Sequence, residues 1–137
     1  MYALIDATSF YASAEKVFDL SIRKRPVVVL SNNDGCIVAA SPEVKKLGVP
    51  KFEPYFKLKP ILDKHNVVIR SSNYELYADL SDKMMAVINR FSDQHYVYSI
   101  DESFLKFDGY SDLVSSWYEY GHLIRRTVWR KTKLPVG

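Results

Sequence analysis

The sequence predicts an α+β domain in which helices pack on one face of a mixed sheet. Three observations lead there. β-branched runs and amphipathic helical repeats alternate along the chain. Two strand patterns, "HYVYSI" and "SFLKF", are separated only by Asp101 and Glu102, which implies a tight antiparallel hairpin. The chain has 137 residues, 47% of them apolar and 14% aromatic, enough to bury the core of about one domain.

Each element follows from local chemistry. "YALIDA" is a short buried strand, and "SFYASAEKVF" a helix opened by Thr8 or Ser9. "RPVVVLSN" is a β-branched strand, "NNDG" a turn and "CIVAA" the next strand. In "SPEVKKLG" Ser41 stands at the N-cap, Pro42 at the first helical position and Gly48 past the end. "KFEPYFKLKPILDKHN" is expected to be irregular to helical, broken by Pro54 and Pro60. "VVIR" is a strand. From Asn73 a long amphipathic helix places Tyr77, Leu80, Met84, Val87, Ile88 and Phe91 on one stripe. After the hairpin, Ser111 is expected to cap a last helix with Val114, Trp117, Gly121, Ile124 and Val128 on its apolar face. The chain stops at "KLPVG", where another strand pattern begins, so it is expected to be a piece cut before that strand's partner.

Composition narrows the class. The single cysteine, Cys36, excludes an intrachain disulfide framework and a cysteine zinc cluster, and is better read as a small buried hydrophobe in a reducing, cytoplasmic setting. No apolar run reaches the roughly 20 residues that span a membrane, and "MYALIDATSF" is no secretory leader. A net charge of +3 permits an anionic partner without requiring one.

Chemistry concentrates in three acids. Asp6 ends the first strand; Asp101 and Glu102 sit at the hairpin. If that strand lies beside the hairpin, three carboxylates meet at one sheet edge. Their mutual repulsion calls for a cation, and hard oxygen ligands suit Mg²⁺. Read singly, Asp6 is equally a turn or cap acid, and Asp101–Glu102 a solvated hairpin tip. The residues alone leave these readings open. His65, His95 and His122 show no ligand spacing.

Four segments in register carry a resemblance: "LIDATSFYASAE", "VVVLSNNDGCIVAASPEVKKLGV", "SSNYELYADLS" and "YSIDESF". Together they resemble the Y-family translesion DNA polymerases, from Met1 to Gly137. "SNNDGC" and "SSNYELYADLS" resemble in particular its damage-induced bacterial branch. The resemblance implies a polymerase palm at 1–20 and 78–137 with an inserted fingers subdomain at 21–77, cut before the thumb and little finger. It implies two Mg²⁺ held by Asp6, Asp101 and Glu102, joined by the Ala7 carbonyl. Thr8 stands where many relatives have a second, non-essential aspartate.

The resemblance further implies nucleotide contacts from Ser9, Phe10 and Tyr11, through backbone amides at a helix start. Tyr11 matches the steric gate that collides with a 2′-hydroxyl. Lys45 stands where many relatives have arginine, keeping the charge but losing the bidentate fork. Pro42 replaces a common tyrosine and receives no role. Val38 and Ala39 match the small surface that packs on the nascent base pair. Tyr74 and Tyr77 are read as packing residues first. The run Arg125, Arg126, Arg130, Lys131 and Lys133 fits either DNA phosphates or a solvated helix face. The implied partners are primer–template DNA, a dNTP, the UmuD′ dimer and RecA, with no membrane. The implied reaction is error-prone nucleotidyl transfer in the SOS DNA-damage response, with the piece alone unable to extend a primer. Two other readings compete: a nucleotidyl cyclase with a related palm, which the long segment 21–77 argues against, and a non-catalytic nucleic-acid-binding module.

Overall fold

The computed structural model describes residues 1–137. β1 (Tyr2–Asp6) is followed by α1 (Phe10–Phe18), β2 (Val27–Leu30), β3 (Ile37–Ala40), α2 (Pro42–Lys45), α3 (Tyr55–Lys64) and β4 (Val68–Ser71). Then come α4 (Tyr74–Ile88), β5 (Gln94–Val97), β6 (Glu102–Lys106) and α5 (Trp117–Thr132). The α+β class is as predicted, but the strands form two three-stranded sheets rather than one. The chain divides into two compact units, Met1–Thr8 with Glu75–Gly137, and Ser9–Tyr74. α1 packs on β2 and β3, within the second unit.

In the first unit the sheet order is β1-β6-β5, antiparallel throughout. Strand alternation sends Ile5, Ser103 and Leu105 inward and leaves Tyr2, Leu4 and Asp6 outward. Buried Met84, Ile88, Ile124, Val128 and Leu134 complete this core. Phe107 packs among the rings of Tyr110, Trp117 and Tyr120, with centroids 5.0 to 5.7 Å away. "KLPVG" lays Pro135–Gly137 antiparallel along the other edge of β1, with Ala7 opposite Val136. The last helix starts later than expected. Residues 110–114 form a separate turn closed onto the Tyr110 carbonyl. The cap is Ser116, whose hydroxyl accepts from the Glu119 amide at 3.2 Å, so neither Ser111 nor Val114 belongs to the helix. α4 likewise ends at Ile88, and Phe91 falls in a following 3₁₀ turn.

In the second unit β2 is central, antiparallel to β3 and parallel to β4. All four of its residues are buried, as a strand covered on both faces requires. Around it lie Ile37, Ala40, Val44, Leu58 and Leu62. The β2–β3 connection is held by Asn33, whose Oδ1 accepts from the Ser31 hydroxyl at 2.7 Å and the Gly35 amide at 3.0 Å. A Cβ on Gly35 would meet that oxygen at 2.9 Å, so a side chain there would push the Asn33 amide aside. Pro60 does not break α3. Its missing amide would have served the Phe56 carbonyl, and both residues are exposed, so water can satisfy that oxygen. No helix is long and apolar enough to cross a membrane.

Candidate metal centre

β1 and β6 pair in a register that sets Asp6 directly opposite Glu102. Directly opposed residues share one face of a sheet, so both carboxylates stand on the outward face, at its end. Asp101 precedes β6, in the bend between the two strands of the hairpin. Strand alternation does not govern it there, and it can turn toward the same point. The outcome is a cluster: Asp6 (exposed), Asp101 and Glu102 (both half-buried) each place a carboxylate oxygen within 4.8 Å of the others.

Backbone pairing holds that geometry. The Ala7 amide donates to the Asp101 carbonyl at 2.9 Å, tying the end of β1 to the bend. On the other side the Asp6 amide donates to the Gly137 carbonyl at 2.9 Å, and the Gly137 amide returns a bond to Asp6 at 2.8 Å. The Tyr98 and Ser99 amides both donate to the Glu102 carbonyl, at 3.0 and 3.1 Å, and close the hairpin. The Ser99 hydroxyl donates to Asp101 Oδ1 at 2.9 Å and orients the carboxylate. From α4 the Ser81 hydroxyl donates to the Ile100 carbonyl, fastening the bend to the helix.

Sequence reasoning found all three acids but missed these supports. Ser81 had a faint signal, a polar residue on the buried stripe four positions after Tyr77. Pro135–Gly137 had the strand pattern of "KLPVG" but no sign of its partner, and Ser99 had none, because their roles exist only once the strands are registered. Three clustered carboxylates are all hard oxygen acceptors, so the donor set fits a divalent cation such as Mg²⁺. Ala7 is buried at the same sheet end.

The other predicted site residues lie in the second unit. Ser9 occupies the position before α1 in a left-handed conformation, φ 46°, and makes no side-chain cap. Its hydroxyl accepts instead from Lys45 Nζ at 2.9 Å, so two predicted phosphate-binding residues meet. Phe10 is buried. Tyr11 is half-buried and meets the Tyr74 ring edge-on, centroids 6.0 Å apart. On β3, Ala39 is buried and Val38 half-buried.

The architecture corresponds to part of a Y-family polymerase. The structure described as an insertion ternary complex of Dbh DNA polymerase superposes with a TM-score of 0.84, at 24% identity, over 98% of this chain and 40% of that one. A family model described as the impB/mucB/samB family matches residues 5–137, and the chain belongs to that family. Protein UmuC of Salmonella typhimurium is 47% identical over 137 residues, all of this chain and 32% of that protein. DNA polymerase IV of Saccharolobus solfataricus is 30% identical over 140 residues, covering 96% of this chain and 38% of that protein. The chain thus spans about a third of the length of the curated relatives it matches.

Proposed function

We propose that the chain is the N-terminal catalytic part of an error-prone translesion DNA polymerase of the UmuC type. The observation that carries this is the convergence of Asp6, Asp101 and Glu102 within 4.8 Å at the end of one sheet. We take the unit of Met1–Thr8 and Glu75–Gly137 as the palm and Ser9–Tyr74 as the fingers. The reaction joins a primer 3′-hydroxyl to the α-phosphate of a dNTP with loss of pyrophosphate.

In this reading Asp6, Asp101 and Glu102 hold two Mg²⁺, with the Ala7 carbonyl as a further ligand. Bound there, the metal would supply neutralisation of phosphate charge and activation of the hydroxyl. The amides of Ser9, Phe10 and Tyr11 at the start of α1 and the Lys45 ammonium bind the triphosphate. The Tyr11 ring excludes a ribonucleotide's 2′-hydroxyl. Val38 and Ala39 leave room beside the nascent pair for a damaged template base. Catalysis of this kind rests on positioning and electrostatics. The UmuD′ dimer and RecA as partners, a role in the SOS response, and a cytoplasmic location belong to the same reading. Similarity to UmuC supports them.

Calorimetric titration of the chain with Mn²⁺ and a dNTP tests the site. Saturable, nucleotide-dependent metal binding that Asp101→Ala abolishes is the expected result. In the full-length protein the same substitution removes primer extension. Extension that survives Asp101→Ala would overturn the catalytic reading in favour of a nucleic-acid-binding module.

A further inference from the structure

α2 is only four residues long and cannot hold itself in place. Its capping residue, Ser41, spends its hydroxyl outside the helix, accepting from the Val27 amide at 3.0 Å. Its side chains instead reach α1 at two points. Lys45 Nζ donates to Ser9 Oγ at 2.9 Å. Lys16 Nζ donates to Glu43 Oε1 at 2.6 Å, with the Lys16 side chain 15% exposed and that of Glu43 39% exposed. Ser9 and Lys16 are seven positions apart, about two helical turns, and so lie along the same side of α1.

The two ties differ in kind. Lys45–Ser9 is an exposed bond from an ammonium to a neutral hydroxyl. A phosphate oxygen is the stronger acceptor for that ammonium. The ion pair is half-buried, and the second Glu43 oxygen, Oε2, is buried without a hydrogen-bond partner. Lys16 is the cation that pairs with that carboxylate.

We propose that Glu43, held by Lys16, is a positioning residue for Lys45. The ion pair keeps α2 seated on α1 when Lys45 exchanges the Ser9 hydroxyl for a triphosphate oxygen. This rests on the reading of Lys45 as a triphosphate ligand. Glu43 itself repels the nucleotide and acts only through α2.

The test is steady-state single-nucleotide incorporation by the full-length protein carrying Glu43→Gln, Lys16→Met, the charge swap Lys16→Glu with Glu43→Lys, or Lys45→Ala. The proposal expects Glu43→Gln and Lys16→Met each to raise the dNTP KM about five- to tenfold with kcat within about twofold, the signature of lost ground-state binding. The swap brings KM back toward wild type. An unchanged KM in Glu43→Gln, or kcat and melting temperature falling together with no KM change, overturns the proposal. If the swap melts below wild type, the double variant Lys16→Met with Glu43→Gln decides. A KM effect no larger than one single change supports coupling, and a fully multiplied effect overturns it. Failure of the underlying readings looks different: Lys45→Ala would leave KM unchanged, or wild type itself would incorporate nothing.

Discussion

The two compact units differ in one arrangement of charge. Ser9–Tyr74 pairs three of its acids with cations: Lys16 with Glu43 at 2.6 Å, Lys59 with Asp63 at 2.7 Å and Arg70 with Asp19 at 3.4 Å. The unit of Met1–Thr8 and Glu75–Gly137 also forms ion pairs, Lys83 with Asp79 and Lys106 with Asp108, both at 3.1 Å, but in addition it gathers three carboxylates at one sheet end. Two unit charges about 4 Å apart repel by on the order of 1 kcal/mol even in water. The first unit therefore concentrates negative charge at a point where a bound cation would neutralise it. The second is arranged to hold its own geometry.

The largest effect that would break this contrast is catalytic. Asp101→Ala in the full-length protein should lower primer extension by about a thousandfold or more, the several kcal/mol that metal ions supply; gel-based extension assays measure it. The isolated chain should show the converse in stability. Asp101→Asn should raise the metal-free melting temperature by a few degrees, and Mg²⁺ should stabilise wild type but not the variant. A variant that melts lower than wild type would mean the carboxylates do not repel one another.

Core truncations sharpen the comparison next. Leu105→Ala in the first unit and Leu62→Ala in the second both delete fully buried side chains and should each cost about 2–5 kcal/mol. Hydrogen exchange should show protection falling mainly in the unit that carries the change. Equal loss across both would show that the units unfold as one.

Smaller and more pointed is a pair of serines. Ser81 donates to the Ile100 carbonyl beside the acids, and Ser72 to the Leu30 carbonyl in the other unit. Alanine at either should cost about 1 kcal/mol in denaturant melts. Only Ser81→Ala should also weaken Mn²⁺ binding, because only that bond fastens the bend carrying Asp101.

The smallest effect is the order of acid destabilisation. Burial lowers the His95 pKa below its ordinary 6.5, and its Nε2 is buried without an acceptor for a proton. The unfolded chain then binds the proton more readily than the folded one. Stability is undiminished above about pH 6.5 and falls as pH drops from there toward the lower folded value. For Glu43, burial pushes the carboxyl up, but the Lys16 hydrogen bond and charge, with bonds to its own amide and Ser41, outweigh it and hold the pKa below 4.5. Its contribution is present above 4.5 and is lost as pH falls through the lowered folded value. Melts from pH 8 to 3 should therefore weaken the first unit before the second. His95→Leu should flatten the upper part of that profile, and an unchanged profile would count against His95.

Much of this was readable in the chain itself. Periodicity located nearly every strand and helix, because alternation and the 3.6-residue repeat are local consequences of which faces must be buried. Turn chemistry placed the "NNDG" connection and foresaw the hairpin, though its connection is residues 98–101 and Glu102 already belongs to β6 rather than to the turn. Where reasoning missed, the deciding contacts were non-local or the competing cap lay close by. Ser116 rather than Ser111 caps α5, since the turn on Tyr110 takes up the intervening residues. Only the tertiary structure decided that Asp6 faces Glu102, that the chain end braces β1, and that Lys16 reaches Glu43 across 27 positions. Register and long-range pairing depend on how distant segments meet, and local sequence preference holds no record of that.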